Sequence, residues 1–203
     1  MPFVIFLCLF VMALPVSAAI GGELSVELPG NFQAQPGNNP DRGIESYTLP
    51  LDGAKHNINF HADREVQDIP EEVCSPKDKA CLVQNALRSI EARLIASKAI
   101  MQLDRPNVRN LDTKLSQADP SMFPHDLCQG MAFSSVLSPD VSGRVKTKFY
   151  VRGVTVFCGF FGPENMYWTT AATVSENALN REDLMQQTDF EFKAREILKS
   201  LKF

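Results

Sequence analysis

The stretch "FYVRGVTVFCGFFGPENMYW", residues 149–168, decides how this chain is read. Residues 154–161 form an apolar run of β-branched and aromatic residues, which is the pattern of a buried strand. Arg152-Gly153 before the run and Gly162-Pro163-Glu164-Asn165 after it read as turns. Cys158 sits mid-run and shares a strand face with Val154, Val156 and Phe160. Its thiol is a nucleophile, a metal ligand or half of a crosslink, and the functional reading depends on which.

Outward from this run, residues 127–174 read as an antiparallel meander. "LCQGMAFSSVL" is one strand, with turn residues Ser138-Pro139-Asp140 and Ser142-Gly143 after it. "RVKTKFYV" alternates, placing Val145, Thr147, Phe149 and Val151 opposite Lys146, Lys148 and Tyr150. "MYWTTAATV" is a further strand. Upstream, "LSVEL" alternates and stops at Pro29-Gly30-Asn31, and residues 33–43 read as an irregular loop. Asp52-Gly53 is a hairpin signal. After it His56, Ile58, Phe60 and Ala62 face one way and Lys55, Asn57, Asn59, His61 and Asp63 the other.

Two segments carry helical spacing. In the first, Ser75 is the expected cap, Pro76 the first helical residue and Asp78 the return partner of a capping box. Val83, Leu87, Ile90, Leu94 and Met101 form its apolar stripe, and Pro106 ends it. Residues 107–126 read as a long connection with one short edge strand at 108–115. The second helix, "TDFEFKAREILKSLKF", has Thr188 as its cap with Glu191 three residues on, and Phe190, Ala194, Ile197, Leu198 and Leu201 on its apolar side. The expected fold class is α+β: an antiparallel sheet with a meander, flanked by a long central helix and a C-terminal helix.

"LSVELPGNF", "KTKFYVRGVTVFCGFF" and "FKAREILKSLKF" together resemble the PsbP-like family. That family opens with a strand ending in proline, carries late strands patterned Tyr-Val-x-Gly, and closes with a helix ending Ile-Leu-x-Ser-x-Lys. The resemblance covers two separate pieces of the chain and leaves residues 63–126 unmatched. It implies an α/β/α sandwich and an exported accessory or binding protein without chemistry of its own. It assigns no catalytic residue.

The amino terminus, "MPFVIFLCLFVMALPVSAAIGG", has an apolar run over residues 3–14 and then small residues that suit signal peptidase. The run is shorter than the roughly 20 residues that span a bilayer. Residues 1–19 are therefore read as a secretory signal and 20–203 as a single α+β domain, with an uncleaved anchor as the alternative, since no Lys or Arg precedes the run. The formal net charge is −4, with Lys and Arg dispersed among Asp and Glu, which argues against a nucleic-acid partner. The expected location is periplasmic or secreted.

Loss of the signal leaves Cys74, Cys81, Cys128 and Cys158. An even number in an exported chain favours two disulfides, and proximity pairs Cys74 with Cys81 and Cys128 with Cys158. Four cysteines allow three pairings, and sequence does not choose among them. On the meander reading, a further strand lies between Cys128 and Cys158. Their sulfurs then meet only if sheet order departs from neighbour pairing or the first segment crosses a face.

No catalytic, cofactor-binding or metal-binding residue is assigned. A reactive thiolate needs a positive neighbour and exposure, and the surroundings of Cys158 in sequence offer neither. His56 and His61 point to opposite faces of a regular strand, His61 with Asp63 supplies only two donors, and His125 stands apart. The carboxylates Glu71-Glu72, Asp126 and Glu182-Asp183 lie at loops or helix starts, and Ser134-Ser135 lacks a nucleophile elbow. Arg144, Lys146, Lys148 and Arg152 form a basic stripe that either is a solvated strand face or meets an anionic membrane surface weakly. Phe157, Phe160, Phe161, Tyr167 and Trp168 are read as core, with an apolar groove as the alternative.

These observations point to a disulfide-stabilised, non-enzymatic binding or accessory protein of the cell envelope, with another envelope protein as partner. A carrier with an apolar pocket between sheet and long helix, or a hydrolase using a His–carboxylate pair, are the alternatives.

Overall fold

A computed structural model describes residues 16–20, 24–36, 44–52, 55–67, 73–75, 77–104, 108–139, 147–161 and 167–202. The apolar run of the expected signal, the turns at Ser142-Gly143 and Gly162-Pro163-Glu164-Asn165, and Pro76, Glu71 and Glu72 lie outside the described residues. The strands are β1 (Val16–Ile20), β2 (Leu24–Leu28), β3 (Gln33–Ala34), β4 (Ile44–Asp52), β5 (His56–Gln67), β6 (Val108–Gln117), β7 (Cys128–Pro139), β8 (Phe149–Phe161) and β9 (Tyr167–Ala178). The α-helices are α1 (Lys79–Gln102) and α2 (Gln187–Lys199).

β1 and β2 form a separate hairpin; β1 contains the expected cleavage site. The other seven strands make one sheet in the order β3-β4-β5-β9-β8-β7-β6. All of its pairings are antiparallel. β9, the last strand in sequence, therefore lies inside the sheet between β5 and β8. Its alternating burial, with Ala172, Val174 and Ala178 inward, follows the period-two pattern of its residues.

The expected helix-flanked sandwich is corrected by this architecture. Among the described residues there are only two α-helices, against one seven-stranded antiparallel sheet, and the fold is sheet-dominated. α1 lies on the face carrying Phe157 and Gly159, α2 on the face carrying Val154 and Val156. Neither forms a full layer. α1 buries only Leu82, Ala86 and Ile90, while Ile95 and Ile100 are exposed. Of the expected stripe only Ile90 is fully buried; the inward face is rotated toward Leu82 and Ala86. α2 buries Phe190, Ala194, Ile197 and Leu198 against β2 and β9.

The sheet dominates because segments that read as short strands are continuous. Arg152-Gly153 is not a turn: β8 runs straight through it for 13 residues. Gly153 pairs with Phe133 on β7 and Ser175 on β9. A Cβ there would lie 2.5 Å from the Phe133 ring and 2.8 Å from the Val174 carbonyl. The glycine marks a close approach between strands. Arg152 is accommodated mid-strand because a buried carboxylate neutralises it.

The helix starts also differ. Asp78, not Ser75, caps α1, its Oδ1 accepting the Cys81 N–H at 3.1 Å. Thr188 lies within the first turn of α2, which follows Gln186 without a side-chain cap. The edge strand expected at 108–115 extends to Gln117 as β6.

Candidate functional site

Arg93 fixes α1 to the sheet. Its Nη1 donates to Thr169 Oγ1 at 2.8 Å and its Nη2 to Asp63 Oδ1 at 2.9 Å, and the guanidinium lies over Phe157. Such a planar fork holds register where an apolar contact would slide. At the other end Asn110 clamps the helix exit. Its Nδ2 donates to the Met101 carbonyl at 2.8 Å, its N–H to Asp104 Oδ1 at 2.8 Å, and its Oδ1 accepts from Thr113 Oγ1.

Between these two anchorages the helix end and the sheet leave a cleft of about 330 Å³. Met101, Leu103 and Val108 form its wall, and Phe133, Leu137 and Val151 its apolar floor. Ser135, Asn110, His61 and Thr173 supply the few polar groups. Leu103 is 62% exposed, so the rim presents an apolar side chain to solvent. Isolated exposed leucines need no explanation, but apolar rim and apolar floor together are the pattern of a binding groove. Periodicity places Met101 and Val151 on the correct elements. The cleft itself depends on where α1 ends over the sheet, which no local pattern encodes.

Both disulfides pair as proximity suggests: Cys74 with Cys81, and Cys128 with Cys158. Cys128 and Cys158 are directly opposed on β7 and β8, because β8 is a single strand and no other intervenes. His125 joins them: one ring nitrogen and both sulfurs lie within 4.8 Å of one another. Its Nδ1 accepts the Leu127 N–H at 3.1 Å, and burial pushes its pKa down. In sequence His125 is three residues from Cys128 and far from Cys158, and the fold brings it onto both.

A hydrolase would need His61 or His125 buried beside a carboxylate, and the structure instead sets His125 against the Cys128–Cys158 sulfurs. His61 is exposed and bonded to Ser46 at 2.7 Å. A His–carboxylate pair does form between His56 and Glu176, 2.7 Å apart. Glu176 is fully buried. Its Oε1 also accepts the Met185 N–H at 2.7 Å, and its Oε2 accepts Arg152 Nε at 2.6 Å. Both oxygens are engaged, so the carboxylate offers none to a substrate. Arg152 also donates to the Met185 carbonyl and to Gln187, and lies over Phe190, which ties the entry of α2 to β8. Arg152 therefore belongs to the interior; Lys148 is exposed, and Arg144 and Lys146 lie outside the described residues.

A second buried carboxylate, Glu45, accepts from Tyr47 Oη at 3.0 Å. Burial raises its pKa, against the opposing effect of that hydrogen bond, and burial pushes Tyr47 up to about 12. Phe160 packs on Trp168 and Phe161 on Tyr167 in tilted pairs, Phe157 lies under Arg93, and none of the five lines the cleft. Glu182 and Asp183 lie in a 3-10 turn, Arg181–Asp183, where Asp183 accepts from Asn180.

No described helix is long and apolar enough to cross a membrane. No family model matches the chain, and no curated protein matches it in sequence. Among solved structures it is similar to LpqN, involved in cell envelope biogenesis of Mycobacterium tuberculosis, at 13% identity and a TM-score of 0.39 over 89% of this chain and 83% of that one.

Proposed function

We propose that this chain is an exported, disulfide-stabilised binding protein of the cell envelope, and that it holds an apolar segment of a partner protein in the cleft at the end of α1. The observation that carries the reading is the continuity of apolar floor and exposed apolar rim, from Phe133 and Val151 to Leu103. An open rim of this kind suits side chains presented by another protein better than it suits a fully enclosed small ligand. Two disulfides support residence in an oxidising compartment. The PsbP-like motifs imply the same class of role.

The test is a photo-crosslinking amino acid at Leu103 in the full chain, irradiated in the native envelope. A discrete protein adduct that disappears with Met101→Asp is the expected result. Absence of any adduct, or an adduct of equal yield in that variant, would overturn the reading. An adduct to lipid or to a small apolar molecule alone would replace the partner protein by a carried ligand.

A further inference from the structure

We propose that Cys128, Cys158 and His125 form a metal site that is closed while the disulfide is intact and opens on its reduction. The atoms of three potential zinc donors converge here, one imidazole nitrogen and two cysteine sulfurs that become thiolates only once their disulfide is reduced, all mutually within 4.8 Å. Zinc–sulfur bonds of about 2.3 Å and zinc–nitrogen bonds of about 2.0 to 2.1 Å put tetrahedral ligands roughly 3.5 to 3.8 Å apart. To reach that spacing the two sulfurs separate once their bond is broken and the histidine nitrogen closes on them.

The backbone supports such a change. Cys128 and Cys158 face each other within the β7–β8 ladder, which runs from Cys128 opposite Cys158 to Leu137 opposite Phe149. The Gly159 N–H donates to the Leu127 carbonyl at 3.0 Å just beyond the pair. The strands therefore remain in register when the sulfur–sulfur bond breaks, and both thiols stay beside His125. A cavity of about 690 Å³, lined by His125, Cys128, Asp126 and Gln129, opens onto the same spot and admits a water as fourth ligand. Two cysteines, one histidine and one open position form a zinc site of the exchangeable kind rather than a closed structural one.

The chemistry balances with an external dithiol as reductant. The dithiol passes two electrons and two protons to the Cys128–Cys158 bond and becomes a disulfide; the protein gains two thiols. Zinc(II) then displaces both thiol protons and binds two thiolates and one nitrogen of the neutral imidazole, which gives up the Leu127 N–H bond to Nδ1: either Nδ1 takes the metal, or Nε2 takes it and the ring proton moves to Nδ1.

The experiment uses the full chain reduced with a trialkylphosphine, which becomes its oxide without chelating zinc. Zinc is titrated against a competing indicator, cobalt(II) replaces it for absorption spectroscopy, and circular dichroism is read on the same samples. The expected result is one zinc per reduced chain, a thiolate-to-cobalt charge-transfer band, and no binding by the oxidised protein. His125→Ala should weaken zinc at least about 10-fold. The double variant Cys74→Ser, Cys81→Ser should bind as the wild type does. Several results would overturn the proposal: no zinc bound after reduction, equal binding by the oxidised chain or by His125→Ala, loss of binding in the Cys74/Cys81 variant, or zinc taken up only by chains without their strand signal.

Discussion

Nε2 of His56 on β5 lies 2.7 Å from Oε1 of Glu176 on β9, although 120 residues separate them in sequence. With Arg152 on the other oxygen, this buried carboxylate joins β5, β8 and β9 and, through Met185, the start of α2. Removing one member of a buried charged cluster leaves the others uncompensated, at about 3 to 5 kcal/mol. Glu176→Leu should therefore lower the urea midpoint severely. The double variant Arg152→Met, Glu176→Leu should recover much of the loss. If the double variant is no more stable than the single one, charge compensation is not what the cluster supplies.

The two disulfides should differ in weight. In the loop-entropy model the 30-residue separation of Cys128 and Cys158 corresponds to about 3 to 4 kcal/mol, and the 7-residue separation of Cys74 and Cys81 to about 2.5. Paired Cys→Ala substitutions compared by denaturant unfolding should show the larger loss for Cys128/Cys158. A reversed order would contradict the model here.

Glu45 predicts a pH dependence. Its folded pKa is raised, so the folded chain holds a proton that the unfolded chain releases near pH 4.3. The contribution is fully present below that value and is lost as pH rises through the folded pKa. Glu45→Gln should stabilise the protein at alkaline pH and flatten the fall in stability as pH rises above the unfolded value. Parallel wild-type and variant curves across that range would refute the assignment.

Gly153→Ala should destabilise by about 1 to 3 kcal/mol, because the new methyl meets the Phe133 ring and a backbone carbonyl. Adding Phe133→Leu should return only part of the loss, since the Val174 carbonyl cannot withdraw. Full recovery would show that the ring alone sets the constraint.

Local pattern reads the strands of this chain well and their assembly poorly. The alternation of Ile58, Phe60 and Ala62 against His61 is written in adjacent residues, and the structure buries the first three. The order of strands is not so written, because β5 finds β9 across α1 and three other strands. Arg152-Gly153 carries a turn signature whose meaning is reversed by a ring on the neighbouring strand. His56 sits where the pattern places it, facing inward. Glu176, the partner that explains it, lies on a strand whose position no local spacing discloses. Ser75 and Thr188 both satisfy cap chemistry, yet Asp78 takes the cap of α1 and α2 begins at Gln187, ahead of Thr188. The cleft was the least legible feature: it exists only where two distant segments stop short of each other.

The position of β9 sets the order in which the protein becomes complete. The β4–β5 hairpin emerges early from the synthesis or export machinery, yet β5 receives its second neighbour only when residues 167–178 arrive. Until then the inner edge of β5 is an open row of amide and carbonyl groups, the template for pairing between chains. Sheets dominated by such distant pairings assemble slowly. The interval between the arrival of β5 and of β9 is therefore when a nascent chain most needs a holdase, and a stalled or truncated one is at greatest risk of aggregation.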